Sequence, residues 1–531
     1  MIMMKKKITI VLTLFVFLMP VMASGIHEAA RRGDLKKVEE LLAKDPGLAN
    51  ARITSAEEGA NFRKTPLHFA AEFGGKEIVT LLLANKADVD ARTAFGFSPL
   101  HYAAMKGQKE VAELLISNGC KLDLKNTFNI TPIFLAASQG HVEIVEMLVS
   151  KGIDINIKGN NGMTLLHAAA LGGSITATLQ LIEKGVDINV RNIFGKTPMH
   201  FAAAEGHKGV VEVLVANKAD LNAKSLDGKT PLHNAEENEH NDIVEFLKMK
   251  RADQSPREFP LLKGDYLGQK KPGLTPEVFA PGIVSTDGGE FAGTFSPDGK
   301  EFYFTRSGGE KRLQTNTIMV TKRVNGLWTE PEIAPFSGKY FDFEPFITPD
   351  GNKLYFGTMR ALDGSAKQGV LHQWFLEKTR TGWSEPKSLG SPFVERFVMY
   401  PTVSKNKNIY FSGKEGIFMS RFKDGKYQEP EKLGEETVNF FSFTAHPFIA
   451  PDESYLIFDA HPYGMYPDIF ISFRKGDGSW TRARKIGNRV NTGESEMCPY
   501  VSPDGKYFFF SRTKNIYWMS ASVIDDLKSK R

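Results

Sequence analysis

Residues 65–68 have the sequence Thr-Pro-Leu-His, and related four-residue words follow at intervals of 33 residues through the first half of the chain. These words are Ser98-Pro99-Leu100-His101, Thr131-Pro132-Ile133-Phe134, Thr164-Leu165-Leu166-His167, Thr197-Pro198-Met199-His200 and Thr230-Pro231-Leu232-His233. Small residues, usually a glycine, and then an apolar helical pattern follow each word, as in Ala70-Ala71 and Leu81-Leu82-Leu83. A fixed period of this length predicts a solenoid of stacked helical units.

The repeated word resembles the ankyrin repeat. The period, the Thr-Pro-Leu-His word and the Ala-Asp-x-Asn turn that ends at Asn222 all agree with that family. The resemblance implies an all-α solenoid over residues 26–250, with about seven repeats when the atypical first and last units are counted as caps. It also gives the repeated threonines and histidines a structural role, since in this family they stabilise the turn by hydrogen bonds.

Ankyrin proteins bind partners through the tips of their turns and the exposed part of each first helix. Apolar residues occupy these positions here: Phe95, Phe97, Met105, Phe128, Ile130, Met163, Leu171, Ile193 and Phe194. A continuous exposed apolar ridge usually marks an interface. We therefore expect a protein partner on this ridge. Docking onto the C-terminal half of the chain, or simple packing between repeats, are the alternatives.

The second half contains a different repeat, preceded by a segment rich in proline and glycine at 251–273 that predicts a linker or packed connector. Its words are Phe295-Ser296-Pro297-Asp298-Gly299, Ile347-Thr348-Pro349-Asp350-Gly351, Val403-Ser404-Lys405-Asn406, Ile449-Ala450-Pro451-Asp452 and Val501-Ser502-Pro503-Asp504-Gly505. Each word predicts a tight hairpin between an apolar strand and an aromatic strand. Two further strands complete units of about fifty residues, which are typical of propeller blades.

This half resembles the TolB-like, WD-like β-propeller repeat over residues 274–525, with a short tail at 526–531. Five words predict five blades, with six as the alternative. The fourth strand of the last blade is missing from the end of the chain, and Pro276-Glu277-Val278 can supply it from the other end. Such a closure removes an open sheet edge.

The first strand of each blade lines the channel of a propeller, and five polar residues on these strands are candidates for a ligand or cation site. They are Glu290, Asp342, Glu344, His446 and Glu496. Alternation along the strands directs one set of residues towards the channel. One interpretation is a bound cation, whose identity stays unknown, or a small ligand. An acid/base pair like that of five-bladed glycoside-cleaving propellers is a second interpretation, and solvation of a water-filled channel is a third.

Motifs of other catalytic sites are absent from the sequence. It contains no His-Glu-x-x-His, no Gly-x-Ser-x-Gly, no phosphate-binding Gly-x-x-x-x-Gly-Lys-Ser/Thr loop and no Cys-x-x-Cys. Cys120 and Cys498 are interpreted as small buried apolar groups. We therefore assign no catalytic residue, expect no cofactor other than the channel cation, and lean against an enzyme.

The first 23 residues have the three parts of a secretory signal peptide. Three lysines, Lys5 to Lys7, precede the apolar run 8–22, and small residues end it at Ala23. An uncleaved anchor is the alternative. Cleavage lowers the formal net charge from +5 to 5 − 3 = +2, which gives no reason to expect nucleic acid. We expect a periplasmic or secreted bacterial protein with no membrane span after cleavage.

The leading functional hypothesis is an exported adaptor or scaffold without catalysis, which binds proteins through the ankyrin ridge and the propeller face. The alternative is an enzyme or ligand-binding protein of the glycoside hydrolase, lyase, sugar-binding or cation-binding kind. In that case the propeller channel is the site and the ankyrin stack is a targeting arm.

Overall fold

A computed structural model describes residues 25–53, 63–308, 316–362, 368–441, 443–461 and 466–529. The chain divides into two compact units, Met1–Phe259 and Pro260–Arg531. The predicted signal peptide, 1–23, lies outside the described residues, as do the last two residues of the predicted tail. Within the described ranges, every helix is too short or too polar to cross a bilayer.

The first unit is a stack of helix pairs, seven of them within the described residues. The first four pairs are α1 Gly25–Arg32 with α2 Leu35–Lys44, α3 Pro66–Phe73 with α4 Lys76–Ala84, α5 Pro99–Lys106 with α6 Lys109–Ser117, and α7 Pro132–Gln139 with α8 Val142–Ser150. The last three are α9 Leu165–Gly172 with α10 Ile175–Glu183, α11 Pro198–Glu205 with α12 Lys208–Ala216, and α13 Pro231–Glu237 with α14 Asn241–Met249. The predicted solenoid is confirmed.

The Thr-Pro-Leu-His word begins the first helix of a pair. In helix α3, Thr65 is the N-cap, Pro66 occupies the first turn, and Gly74 ends the helix in the left-handed region at φ 79°. Proline fits the first turn because its missing N–H would have no helical partner there, and glycine accepts positive φ without strain. The alanine pair Ala70 and Ala71 is fully buried, so neighbouring first helices can approach closely.

Four histidines of the word connect neighbouring repeats: His68, His101, His167 and His200. In His68, Nδ1 accepts the backbone N–H of Thr65 at 3.0 Å, and Nε2 lies 3.0 Å from the carbonyl oxygen of Phe97. Because a carbonyl only accepts, Nε2 carries the proton and the ring is neutral. Burial lowers the pKa of His68 to about 3 and that of His101 to about 4. These rings are therefore structural ties between repeats.

The second unit is a ring of five antiparallel sheets, which confirms the five-bladed prediction. Blade one has β2 Glu290–Phe295, β3 Glu301–Ser307, β4 Asn316–Val324, β5 Leu327–Trp328 and β6 Glu332–Ile333. Blade two has β7 Asp342–Ile347, β8 Lys353–Arg360, β9 Gln368–Glu377 and β10 Lys387–Ser388. Blade three has β11 Met399–Val403, β12 Ile409–Gly413, β13 Gly416–Ser420 and β16 Glu431–Lys432, with a side hairpin of β14 Phe422–Lys423 and β15 Lys426–Tyr427.

The last two blades follow the same plan. Blade four has β17 Thr444–Ile449, β18 Tyr455–Ala460, β19 Asp468–Phe473 and β20 Arg484–Lys485. Blade five has β21 Glu496–Val501, β22 Tyr507–Arg512, β23 Asn515–Ser520 and, from the start of the unit, β1 Glu277–Val278. A final helix, α15, spans Ser522–Ser529.

The ring closes through β1, as the sequence predicts. Strand β1 pairs antiparallel with β23, with Val278 opposite Tyr517. The segment before it also belongs to this unit: the ring of Tyr266 lies 5.6 Å from that of Trp518, and the backbone N–H of Trp328 donates to the carbonyl of Leu262. Of the expected linker 251–273, the part from residue 260 onward is therefore packed on the propeller.

Candidate functional site

The innermost strand of every blade carries a β-bulge at the same place. The bulge residues have positive φ, between 46° and 55°: Ala292, Glu344, Tyr400, His446 and Cys498. Glycine follows the first of them and proline follows the other four. A proline is tolerated inside a strand where a bulge interrupts the ladder. Such bulges redirect side chains, and here they do so at five equivalent points.

The bulge residues meet at the centre of the ring. Ala292, Tyr400 and Cys498 pack in one buried cluster. The ring of His446 lies edge-on to that of Tyr400, with centroids 5.4 Å apart. Nε2 of His446 is 3.1 Å from Oε1 of Glu344. One side chain from each blade therefore contributes to a single central cluster.

The imidazole of His446 lies between two carboxylates. Its Nδ1 is 2.8 Å from Oδ1 of Asp459, and its Nε2 contacts Glu344. Asp459 and Glu344 are 2% and 4% exposed. Burial acts to lower the pKa of His446, but the neighbouring negative charges, chiefly Asp459, hold it well above its usual value. Without a further ligand, the group is an imidazolium that joins two buried carboxylates.

Cys498 completes the cluster with a sulfur donor. One ligand atom each from Glu344, His446 and Cys498 lie within 4.8 Å of one another. Burial raises the pKa of the Cys498 thiol to about 12, although His446 acts in the opposite direction. The thiol is therefore not a free nucleophile. A carboxylate, an imidazole and a thiol at this spacing are a donor set that a metal ion can use.

Three of the predicted channel acids do not join this cluster. Each is buried and is bound by an arginine on the second strand of its own blade: the pairs are Glu290–Arg306 at 2.8 Å, Asp342–Arg360 at 3.4 Å and Glu496–Arg512 at 3.0 Å. Burial raises the pKa of all three carboxyls, that of Glu496 to about 7. The expectation that they form one channel site with Glu344 and His446 is corrected, because each connects two strands within a blade.

Asp459 is a site residue that the sequence analysis missed. It follows the aromatic strand pair at a position where the other blades have Thr305, Gly357, Ser412 and Ser511. Where that residue carries a hydroxyl group, its oxygen accepts the backbone N–H of the bulge residue in the next blade. Two signals in the sequence could have found the site. Asp459 is the only carboxylate in this column of the repeat alignment, and a proline follows four of the five bulge residues.

The predicted ankyrin ridge is partly exposed. Phe95 is 44% exposed and stacks on Phe128 of the next repeat, with ring centroids 6.2 Å apart. Phe97 contacts Phe128 edge-on at 6.4 Å. The half-buried members of the predicted ridge are Phe97, Met105, Phe128, Ile130, Met163 and Ile193. An apolar surface therefore extends over the tips of neighbouring turns.

Two predicted ridge residues are buried and are corrected. Phe194 is 1% exposed and Leu171 is 5% exposed. Leu171 lies in α9, which packs between α7 and α11, and the backbone carbonyl of Phe194 accepts the N–H of Leu226 from the next turn. Leu226, which the sequence analysis did not select, is 47% exposed.

Basic residues accompany the apolar ones at the turn tips. We call residues 92–97, 125–130, 158–163, 191–196 and 224–229 the fingertip surface. Its charged residues are seven basic and one acidic: Arg92, Lys125, Lys158, Arg191, Lys196, Lys224 and Lys229, with Asp227. The first residue of each segment is exposed. The fingertip surface is therefore both apolar and positively charged.

Comparisons with known proteins cover the first unit. A family model described as ankyrin repeats (3 copies) matches residues 26–126, 118–192 and 173–257. Among solved structures, the chain is similar to the human ASB11 ankyrin repeat domain, with 26% identity over 44% of this chain and 100% of that chain and a TM-score of 0.38. Ankyrin repeats support a role in protein–protein interaction. Residues 26–257 are ankyrin repeats, and an all-β five-bladed propeller follows them in the chain.

Proposed function

We propose that the protein is an exported adaptor whose ankyrin fingertip surface binds a partner protein. The observation that carries this proposal is the combination of exposed apolar side chains and basic side chains on the fingertip surface. Phe95 and Leu226 expose nearly half of their surface at the turn tips. Exposed apolar patches rimmed by polar residues mark binding surfaces, and aromatic residues and arginine are enriched in them.

Hydrogen bonds between neighbouring turns fix the spacing of the turns that form the fingertip surface. Arg191 donates to the carbonyl of Lys224, and the N–H of Thr127 donates to the carbonyl of Phe95. Such a preorganised row lowers the entropy cost of binding. Six more basic than acidic residues line it, so its charge complements a partner segment that carries both acidic and apolar side chains.

Export and a TolB-like identity of the propeller are further parts of the proposal. The basic and apolar segment 5–22 supports export, and a periplasmic or secreted location would follow from it. The Pro-Asp-Gly words support the TolB-like relationship. Mass spectrometry of the protein from its native host tests cleavage of the signal: a mature chain that begins near Ser24 is expected, and an intact residue 1 contradicts cleavage and favours the uncleaved anchor.

The structure offers less support for glycoside cleavage in the channel. That chemistry needs two carboxyl groups on either side of a sugar bond, about 5 to 9.5 Å apart. Of the central carboxylates, Glu344 and Asp459 both hydrogen-bond the ring of His446, which occupies the space between them. We therefore propose a role in binding for this cluster and no role in glycoside cleavage.

Site-specific photo-cross-linking tests the fingertip surface. A photoreactive side chain is placed at position 95, and a matched one at position 179 on α10, where Leu179 is also exposed at 37%. In the native host, we expect a specific adduct from position 95 and none from position 179. Mass spectrometry identifies the captured protein, which is then purified for direct measurement.

Binding of that purified partner gives the quantitative result. The Phe95→Ser variant should weaken binding at least about tenfold, as loss of a buried aromatic anchor does. The double variant Lys125→Glu with Lys158→Glu should also bind more weakly, and less dependently on salt. The control variant, Leu179→Ser, should bind like the wild type. Equal affinity of the wild type and Phe95→Ser would overturn the proposal.

A further inference from the structure

We propose that Glu344, His446 and Cys498 bind a divalent transition-metal ion of the zinc class at the centre of the propeller, with Asp459 orienting the histidine. The three donors come from blades two, four and five. This inference is independent of partner binding by the ankyrin repeats. It rests on the donor types, their spacing, the environment of His446 and a buried carboxylate oxygen that has no hydrogen-bond partner among the described residues.

The spacing of the donors fits a tetrahedral ion. The three ligand atoms lie within 4.8 Å of one another. Zinc bonds to oxygen, nitrogen and sulfur are about 2.0 to 2.3 Å long, so donors of a tetrahedral site lie about 3 to 4 Å apart. Small side-chain rotations therefore bring the three atoms to bonding distance. Three protein donors leave a fourth position for water or a small ligand.

The types of donor select the class of metal. Calcium and magnesium prefer sites built from oxygen alone. Sulfur and imidazole nitrogen favour zinc and neighbouring transition metals. A divalent ion held by the thiolate of Cys498 and the carboxylate of Glu344 has a neutral first coordination sphere. A neutral centre lowers the cost of placing these ionised groups in the buried interior.

Asp459 gives His446 the environment of a metal ligand. Metal-binding histidines usually donate their second ring N–H to a carboxylate, which fixes the tautomer and the ring orientation. Nδ1 of His446 is 2.8 Å from Oδ1 of Asp459, which leaves Nε2 directed at Glu344. Elsewhere in the column of Asp459 the blades have a small hydroxyl residue or glycine. A hydroxyl group is enough for the contact with the bulge N–H, so that contact alone does not explain the carboxylate of Asp459.

One oxygen of Glu344 supplies a separate indication. Its Oε2 is buried and has no hydrogen-bond partner among the described residues. A buried carboxylate oxygen without a partner is costly, since it loses its water without compensation. A metal ion at the cluster satisfies this oxygen. His446 keeps 11% of its side chain exposed.

The geometry of the bulges also favours a ligand. Glu344 and His446 have φ of 55° and 46°, in the left-handed region that strains side chains other than glycine. Glycine would satisfy the bulge with less strain. All five bulge residues share positive φ, and Glu344 and His446 differ from the others in that their polar groups face one another across the ring at 3.1 Å.

Cobalt substitution of the full chain tests the proposal. The tag-free protein is treated with a chelator, dialysed and titrated with Co²⁺, and Zn²⁺ content is measured in parallel by elemental analysis. We expect one ion per chain, tetrahedral d–d bands and a thiolate-to-cobalt charge-transfer band. The chain has two cysteines, so the Cys120→Ala variant leaves Cys498 as the only thiol. The charge-transfer band should persist in this variant.

Further variants identify the other ligands and guard against misfolding. His446→Gln and Glu344→Gln should each weaken Co²⁺ binding at least about tenfold, with circular dichroism as the check on folding. Wild type and Cys120→Ala decide the question even if these variants do not fold. Less than about one tenth of an ion per chain in both proteins, or loss of the thiolate band in Cys120→Ala with a normal fold, would overturn the proposal.

Discussion

Oδ1 of Asp459 accepts the backbone N–H of Cys498 at 3.1 Å, and the same oxygen lies 2.8 Å from Nδ1 of His446. One carboxylate thus supports the bulge of blade five and orients the imidazole of blade four. Other blades achieve the first contact with a hydroxyl, in Thr305, Ser412 and Ser511. The two roles of Asp459 are therefore separable by substitution.

The Asp459→Ser variant should keep the structural contact and lose the orienting one. A serine hydroxyl can still accept the N–H of Cys498, but the free energy of unfolding of the metal-free protein should fall by about 3 kcal/mol, because His446 loses one of its two buried carboxylate partners. Affinity for Co²⁺ should fall about 10- to 100-fold, as it does when a carboxylate behind a metal-binding histidine is removed. Urea denaturation and cobalt titration measure the two effects. Unchanged affinity would contradict the role given to Asp459.

The matched control for that variant is Ser412→Ala in blade three. It removes the hydroxyl that accepts the backbone N–H of His446 at 2.9 Å. The variant should lose about 1 to 3 kcal/mol of unfolding free energy, since a buried N–H is left without an acceptor. The metal ligands are unchanged, so its cobalt spectrum should match that of the wild type.

Breaking a buried ion pair in the first unit should greatly lower the free energy of unfolding. Nζ of Lys64 is 2.8 Å from Oε2 of Glu72, and both side chains are less than one tenth exposed. The lysine also lies 4.3 Å from the ring centroid of Tyr102. Glu72→Ala should cost about 3 to 5 kcal/mol because it leaves a buried charge unpaired. Helical circular dichroism during urea unfolding measures this loss.

Replacing both partners of that pair should recover most of the lost stability. The double variant Lys64→Met with Glu72→Met removes the buried charge as well as its partner. The exposed pair Lys37–Glu40 provides the control, and Lys37→Ala should change the free energy of unfolding by less than about 1 kcal/mol. A double variant as unstable as Glu72→Ala would show that packing, and not charge, dominates.

The buried histidines predict acid destabilisation of the ankyrin repeats. The pKa of His101 and that of His200 fall from 6.5 to about 4 on folding, mainly through burial. Between these values the unfolded state binds the additional protons. The contribution of these rings to the free energy of unfolding is therefore fully present above pH 6.5 and falls as the pH drops towards 4. Each ring should contribute up to about 1.4 kcal/mol per pH unit.

Helical circular dichroism against urea, repeated from pH 7 to pH 4, measures that dependence. His101→Gln removes one titrating ring, so its stability should fall less steeply with decreasing pH than that of the wild type. His372→Gln in the propeller should leave the steepness unchanged. Equal steepness in His101→Gln and the wild type would contradict the prediction.

Because β1 closes the ring, replacing Phe279, which directly follows β1, should strongly destabilise the propeller. Its side chain is fully buried, and its ring centroid lies 5.2 Å from that of Trp518 and 5.1 Å from that of Phe509. Phe279→Ala should cost about 3 to 5 kcal/mol through the cavity it creates. The exposed control Val324→Ala should cost less than about 0.5 kcal/mol. All five tryptophans follow residue 260, so tryptophan fluorescence isolates the unfolding of the propeller.

The helices and blades could be predicted from the sequence because their signals are local. Thr65 and Pro66 begin a helix and Gly74 ends it through contacts within a few residues. The turn formed by Ser296 and Asp298 is equally local, with a hydrogen bond of 2.7 Å between the two side chains. Repetition of such words sets the number of units, which is why the solenoid and the five blades were predictable.

The central site was only half predictable, because it depends on bulges and on contacts across the ring. Strict alternation of side chains along each strand predicts that Glu290 and Glu344 both face the channel. In the structure, an arginine sixteen residues farther along the chain binds Glu290, whereas a bulge directs Glu344 to His446. The contact between Asp459 and His446 joins neighbouring strands of one blade, and only an alignment of the blades reveals the carboxylate as unusual.

The pairing of β1 with β23 also determines when the second unit can fold during synthesis. Val278 and Tyr517 are separated by nearly the whole propeller sequence, and so many residues must be translated before this pair can form. Ankyrin repeats, in contrast, make contacts between nearest neighbours and can stack as each one leaves the ribosome. The first unit can therefore assemble on the nascent chain, whereas the ring cannot close until Tyr517 has been translated, and until then one of its sheets keeps an unpaired edge.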